Sequence, residues 1–595
     1  MALALVGCAL GASAQSDPDQ RVVVTAARVE QALPDALPST RVVTRTEIAA
    51  SGSSDLPGLL RALTSIDVAQ AGPLGAQASL FLRGADSRQT LVLVDGVPFA
   101  RADFGSASWQ YLPLEQIERI EIVRGNHSSV YGAQAIGGVV HVITRRADAP
   151  SLTLGLGTQG TQHAAAAAGH RFGEGATATV VSGSLSLRRT DGFSARDPAV
   201  DPTVNTDRDP SRQAGAGLRV DQGWANGHRT QLSFTASRTR SAYDGYTPDL
   251  EDMLTTRVSA LALTTRHALA RGWTLQAEAG QTRERFDDPT NVYVPRGDNR
   301  VRNLVATLGW DATPGQAWQL GLESRRDRYD DPFAGVRERS TDSVRVGGQG
   351  RVGDAGRWQA HLRRDHSAAF GSASTGMLAL SHAVAAEWTT SVQASSGFSA
   401  PSFLDEAYAA PGAALRPERS RQAELALRWA RGTSSVRAAL FVQRQRDRID
   451  YDFAAGGYVN IARARNKGLE LMGEWPLGPG RLGAELTLQD PRNADTDAGL
   501  PRRSKQAAVL HWNGEVSGWA PRVALRHVGS RRDSSFTDDV LPRRTTLALG
   551  LGREVVPGWR VLLAIDNATD SPRPEAFGYT APPRSAQLSL QATLR

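Results

Sequence analysis

The 595-residue chain is 22% charged, with a formal net charge of +7 and a mean hydropathy of −0.32. It is too long for one ordinary domain, and after residue 14 it holds no run of 18 apolar residues, which argues against a transmembrane helix. The positive charge is spread along the chain, with no basic tail or stripe, and is almost all arginine (the lysines are Lys467 and Lys505), which speaks against a nucleic-acid partner.

Residues 2–14 are short and apolar and end Ala12-Ser13-Ala14, as a signal-peptidase site does. A signal peptide is therefore expected over 1–14. A basic n-region is missing, which leaves an upstream start open, and Leu5-Val6-Gly7-Cys8 offers a lipoprotein cleavage box as an alternative. Cys8 is the single cysteine, so the mature chain has no disulfide and no Cys-based metal site. A polar stretch follows, then Arg21-Val22-Val23-Val24-Thr25-Ala26. A short β-prone segment on a flexible tail suits strand addition to a partner's sheet edge. A first strand of the next domain is the plainer reading.

Residues 35–147 read as a small α+β domain. Helices are expected from Thr46-Glu47-Ile48 and over Leu56 to Leu63. Strands are expected at Leu80-Phe81-Leu82-Arg83-Gly84, at Leu91 to Val94 before an Asp95-Gly96 turn, at Ile117 to Gly125 and at Gly137 to Thr144.

From residue 148 the texture changes. Segments of 8–12 residues alternate apolar with small or polar residues, as in Ala176 to Leu187, Val258 to Thr264 and Val436 to Val442. A membrane barrel shows this pattern and a low mean hydropathy, because only every second strand residue faces lipid. Short turns recur at Gly173, Asn226-Gly227, Gly272, Pro314-Gly315, Asp354-Ala355-Gly356, near Ala385, and at Gly432, Gly478-Pro479-Gly480, Gly518 and Pro557-Gly558. Ten turns separate eleven hairpins, hence 22 antiparallel strands over 148–595. Trp224, Trp273, Trp358, Trp519 and Trp559 lie beside these turns, where an interfacial girdle would put them. A lumen of that size needs a plug, and the N-terminal domain supplies one. The fold expected is an all-β transmembrane barrel with an α+β plug.

Catalytic signatures are missing. Gly155-Leu156-Gly157-Thr158-Gln159-Gly160 spells a dinucleotide fingerprint but opens the alternating region, so it reads as a Gly-rich strand. There is no His-Glu-x-x-His, no Gly-x-Ser-x-Gly and no phosphate loop. No catalytic residue and no catalytic cofactor is expected. Acids do cluster in two loops: Asp191 to Asp197 with Asn205 to Asp209, and Tyr243-Asp244 with Asp249, Glu251 and Asp252. Such loops can collect the six to eight oxygens of a Ca²⁺ site or be simply solvated.

The segments Phe81 to Gly84, Val92 to Val97, Glu121 to Gly125, Ser129 to Gly132 and Ile136 to Val139, with Val22 to Ala26 as a TonB box, resemble the TonB-dependent receptors of the bacterial outer membrane. Phe398 to Pro401, Ile449 to Asp452, Asn460 to Gly468 and Leu500 to Gln506 are similar to the cobalamin (vitamin B12) transporters of that family, the BtuB proteins. The resemblance covers nearly the whole mature chain.

It implies a periplasmic tail over 15–34 with a TonB box at 20–27. It also implies active import of cobalamin or another corrinoid, driven by TonB with ExbB and ExbD, by a monomer set in outer-membrane lipid and lipopolysaccharide. A ferric-siderophore or haem receptor is the alternative within the family; a passive porin or adhesin is the alternative outside it. The calcium ligands implied are Asn205, Asp207, Asp209, Tyr243, Asp244 and one of Asp249 or Asp252. Ser194 stands where the family has its first aspartate, and Asp197 is the substitute. The cobalamin contacts implied are Gln77, Ser79, Asp86, Phe104, Gly105, Arg502 and Phe536, the last replacing a tyrosine. The C-terminal Ala592-Thr593-Leu594-Arg595 lacks the aromatic end common in outer-membrane barrels.

Overall fold

The computed structural model describes residues 23–24, 28, 31–32 and 37–594, apart from 246–251, 292–294, 314, 333–334 and 536. Two folding units share it. The first is built on a five-stranded sheet ordered Thr40–Val43, Ile117–Arg124, Gly138–Thr144, Thr90–Val94 and Val97–Pro98, with one parallel pair, Thr90–Val94 against Gly138–Thr144. Two helices cover it. Helix α1 (Arg45–Ser51) starts on a capping box, in which Thr44 and Glu47 satisfy each other's backbone N–H groups, and ends on Gly52 at φ +65°. Helix α2 (Leu56–Leu63) is capped by Asp55 and buries Leu56, Leu59, Leu60 and Leu63 against Ile117, Ile120 and Ile122.

The predicted strand through Gly84 is shorter than expected. It runs Ala78–Phe81, because Arg83 (φ +49°) and Gly84 (φ +71°) both turn into the left-handed region. That turn sends the Arg83 side chain out of the sheet and towards the surrounding wall.

The second unit is a closed antiparallel barrel. Its first strand, Ser151–Gly157, pairs with its last, Ser585–Thr593. The strand Gly480–Gln489 breaks at Asp490-Pro491 and resumes as Arg492–Asn493, so these two pieces count as one and the barrel has 22 strands. The Gly155 segment is its first strand. Each of the ten predicted short turns joins two neighbouring strands.

Strands alternate as the lipid boundary requires. In Thr179–Thr190, Leu185 and Leu187 are exposed outward, while Ser182 and Ser186 are buried inward. Trp273 stacks on Trp310 at 5.4 Å, and Trp318 meets Trp358 at 5.2 Å, at the short-turn end. Several strands keep to the expected 8–12 residues, but others exceed it; Gly457–Leu477 has 21. A span needs only about 9–11 residues, so the remainder rises beyond the membrane on the long-loop side.

Plug and wall are tied by buried ions. Arg83 reaches Glu424 and Glu470, each at 2.6 Å, and Arg124 reaches Glu485 at 2.6 Å and Glu470 at 3.5 Å.

Candidate functional site

Two plug segments rise towards the long loops. The hairpin Asp67–Gln70/Ala78–Phe81 carries a loop closed by Ala71 N–H donating to the Gln77 carbonyl at 3.0 Å. Gln77 at its end is exposed and Ser79 half-buried. The second loop is pinned by Asn299 on the wall, whose side-chain oxygen accepts from Ala102 and Asp103 N–H at 3.0 and 3.1 Å. It closes through Gly105 N–H on the Arg101 carbonyl, with Gly105 at φ +72°. This leaves Phe104 51% exposed at the tip, with the Arg101 guanidinium 4.7 Å over its ring. A short loop helix, Phe403–Ala407, docks on the same turn through Phe403 and Leu404 N–H.

The charges around this apex are paired. Asp86 meets Arg503 at 3.1 Å and Arg448 at 3.9 Å. Burial would push the Asp86 carboxyl up, but Arg503, Arg88 and Arg448 outweigh it and hold it well below the usual carboxylate range. Arg88 is held by Asp405 and Glu418, and Arg101 by Asp103 and Glu284. Arg502 is bidentate to Asp533 at 2.9 and 3.1 Å and lines a cavity of about 210 Å³ together with Pro73 and Leu74. Sequence reasoning missed Arg503, which stacks on Phe81 at 4.5 Å while binding Asp86. No local signal separates it from its neighbour Arg502. Phe536 lies outside the described residues.

Beside the apex the two acidic loops meet. Carboxylate oxygens of Asp207, Asp209 and Asp244 lie within 4.8 Å of one another. Asp209 accepts from Ala195 N–H at 2.7 Å and Asp244 from Arg196 N–H at 2.9 Å. Burial, then Asp244 and Asp207, push the Asp209 carboxyl up to about 7, and burial with Asp207 also raises Asp244.

Ser194 Oγ lies 3.5 Å from both Asp244 Oδ2 and the Asn205 carbonyl. Ser194 is thus at the cluster, whereas the Asp197 carboxylate caps its own turn by accepting from Ala199 N–H at 2.9 Å. The Asn205 side chain likewise accepts from Asp207 N–H at 3.1 Å. Asp252 is buried opposite Tyr243, and the Tyr243 hydroxyl donates to Asp288 at 2.8 Å. Asp288, from a third loop, was not legible as part of this set. Asp249 lies outside the described residues. The cluster also touches the plug: a Cβ on Gly72 would come 2.9 Å from the Ala195 Cβ.

Towards the N-terminus, Val23–Val24 pairs antiparallel with Gln31–Ala32. Arg21, Val22, Thr25 and Ala26 lie outside the described residues. Arg28, in the bend between the two short strands, reaches Glu323 on the wall at 3.3 Å and lies 5.1 Å over the Tyr131 ring of the plug.

Residues 33–139 match the family model "TonB-dependent Receptor Plug Domain", and residues 152–568 match "TonB dependent receptor-like, beta-barrel". The chain is 28% identical over 612 residues to a protein of Vibrio cholerae serotype O1 named "Vitamin B12 transporter BtuB", covering 97% of this chain and 96% of that one. It is 26% identical to a protein of the same name from Photobacterium profundum, covering 94% and 93%. Among solved structures it is similar to the siderophore receptor PirA of Acinetobacter baumannii, with a TM-score of 0.79, 15% identity and coverage of 93% and 98%. It is also similar to the ferric-catecholate import receptor Fiu of E. coli K12, with a TM-score of 0.78, 14% identity and coverage of 95% and 98%. At such identities the structural likeness speaks for the fold alone. With a plug inside a 22-stranded barrel and both domain models matched, the chain belongs to the TonB-dependent receptors, outer-membrane transporters that bind a ligand and interact with TonB.

Proposed function

We propose that this receptor imports cobalamin or a closely related corrinoid, as a monomer energised through TonB with ExbB and ExbD. The observation that carries this reading is the pairing of the apical charges. Arg88 and Arg101, the two arginines that could have received an anionic ferric siderophore, already face Asp405, Glu418, Asp103 and Glu284. Apart from Asp86 and Arg502, each already held in an ion pair, the apical contacts are neutral: Gln77, Ser79, the backbone at Gly105 and the exposed Phe104 ring. A corrinoid presents amides around its rim and one phosphate on its tail, so many neutral hydrogen bonds and few charges suit it. The near full-length similarity to proteins named vitamin B12 transporters supports the same ligand.

Purified receptor with calcium is expected to bind cyanocobalamin or cobinamide saturably. Arg502→Ala is expected to weaken that binding by about 1–3 kcal/mol, the cost of leaving a buried polar group without its hydrogen-bond partner. Equilibrium binding of labelled ligand measures both. If neither corrinoid binds while a ferric siderophore does, import of the siderophore replaces this reading.

The donor set at Asp207, Asp209 and Asp244 fits a hard divalent cation such as Ca²⁺. Three carboxylates this close repel one another, two of them raised in pKa, and an ion neutralises them. Ser194, the Asn205 carbonyl, Tyr243 and Asp252 stand near enough to add oxygens. Because Ala195 both donates to Asp209 and abuts Gly72, ordering this loop also orders the wall against which the Gln77 loop rests. A second ligand binding to an ordered surface loses less entropy. EDTA is therefore expected to weaken cyanocobalamin binding about tenfold, within the usual range of coupling between sites, and Asp207→Ala with Asp209→Ala is expected to reproduce that loss without recovery on adding calcium. Wild-type affinity that is indifferent to EDTA would exclude the cation.

A further inference from the structure

The strands Arg229–Tyr243 and Asp252–Ala268 hold the acidic cluster at their long-loop end and a pair of imidazoles at their short-turn end. Arg229 and Arg266 are the last residues paired there. One step beyond them the rings of His228 and His267 meet, with centroids 4.9 Å apart and the two Nδ1 atoms 3.0 Å apart. His228 shares the parity of Leu232 and Phe234, and His267 that of Leu261 and Leu263, so both belong to the lipid-facing side of the wall. Both rings are half-buried, and the turn residues beside them, Ala225 to Gly227 and Ala268 to Gly272, are exposed, so water reaches the pair.

A chain of neutral groups holds one ring in place. Trp224 Nε1–H donates to Thr230 Oγ1 at 2.9 Å, the Thr230 and Thr265 hydroxyls lie 3.2 Å apart, and Thr265 Oγ1 lies 2.9 Å from His267 Nε2. Thr265 also donates to the Arg229 carbonyl at 3.4 Å. With its one proton committed there, Thr265 accepts from His267. That puts the His267 proton on Nε2 and leaves a lone pair on Nδ1, aimed at His228. Metal-bound imidazoles are held in the same way, the second ring nitrogen donating to a neighbouring acceptor.

The spacing has the same meaning. Metal–nitrogen bonds of about 2.0–2.1 Å, meeting at a right or tetrahedral angle, set two ligand nitrogens roughly 3 Å apart. The two Nδ1 atoms already have that separation. Among the described residues no third His, Cys, Asp or Glu side chain joins them, so water takes the remaining positions. Two imidazoles without carboxylates suit copper, nickel or zinc and not Ca²⁺ or Mg²⁺, and Cu²⁺ binds such ligands most tightly.

We propose that His228 and His267 form a two-histidine site for a divalent transition metal, Cu²⁺ foremost, on the periplasmic rim of the barrel. On binding, His228 carries its proton on Nε2, and the N–H···N bond between the rings is exchanged for two nitrogen–metal bonds. The ion bridges the two strands at the end opposite the acidic cluster.

The full receptor, purified in detergent and kept in excess calcium so that the acidic loops are occupied, is titrated with Cu²⁺ alone. Binding is read by calorimetry, and the ligands by electron paramagnetic resonance and its spin-echo modulation. The wild type is expected to take one tight equivalent of Cu²⁺ with the signature of two imidazoles. His228→Gln and His267→Gln are each expected to show one imidazole. Thr265→Val is expected to keep two imidazoles while weakening binding about tenfold, as loss of a hydrogen bond behind a metal ligand does. Zn²⁺ is expected to displace the copper and Mg²⁺ to leave it. Heat-modifiable mobility on gels reports that each variant is folded. The proposal is overturned if the double glutamine variant binds Cu²⁺ within twofold of wild type, or if the wild-type signal shows one imidazole or none. The pair is then a hydrogen bond between two neutral rings only.

Discussion

Val23→Pro is expected to lower ligand uptake to the level of cells lacking TonB, a loss of roughly tenfold or more, because strand addition rests on main-chain hydrogen bonds that proline cannot donate. Equilibrium ligand binding is expected to stay at the wild-type level, since residue 23 is not among the apical residues proposed to contact the ligand. The described backbone sharpens the argument. Val23–Val24 is already a strand, paired with Gln31–Ala32. A partner must add to its free edge or replace Gln31–Ala32, and either route uses the N–H groups of this segment.

The bend of the same hairpin holds Arg28 against Glu323 and Tyr131. A pull on the strand is therefore delivered to a contact between wall and plug. Val23→Ala keeps the N–H and is expected to transport nearly normally, which separates a backbone role from a side-chain role. Uptake of labelled cyanocobalamin, with binding measured in parallel, reads both variants. Normal uptake by the proline variant, or by wild-type receptor in cells without TonB, would remove the segment from the mechanism.

Glu470→Ala is the second substitution with a large expected effect. Glu470 is shared: it accepts from Arg83 Nε and Nη2 and lies 3.5 Å from Arg124. The Arg83 side chain is 0% exposed and that of Glu470 2%. Taking one partner from a buried ionic network leaves charge that water cannot reach, at a cost of about 3–5 kcal/mol. The loss falls on the joint between plug and wall, not on the barrel ladder. Calorimetry is expected to show an earlier plug transition with the barrel transition unchanged, and single channels in planar bilayers are expected to open more often. Glu470→Gln, which keeps an acceptor, is expected to lie between. A variant with wild-type melting and conductance would show that Glu424 and Glu485 alone hold the two arginines. The tie has a functional side. Ligand must pass a plug that fills the lumen, so the contacts that seal it at rest oppose the movement that transport requires.

The sequence by itself determined whatever depends on near neighbours along the chain. Helix α2 runs Leu56–Leu63 as read, since its apolar spacing and the Asp55 cap are local. The turn residues yielded the strand count, because each Gly-, Asn- or Pro-containing turn closes a hairpin between adjacent strands. The acidic loops were visible as composition. Only the tertiary structure decided which distant residues face each other. It brought Asp244 to Asp207 and Asp209, Asp288 to Tyr243, Asp533 to Arg502, and Glu424 and Glu470 to Arg83. It cut the predicted strand at Phe81, since Arg83 turns to meet carboxylates more than 300 positions away. It also gathered arginines that looked dispersed into rows on the wall, as in Arg189, Arg212 and Arg240 and in Arg421, Arg444 and Arg465. The reason is geometric. Side-chain direction alternates along each strand, but which residues lie abreast is set by the register of every strand pair around a closed barrel, and no local stretch of sequence contains that sum.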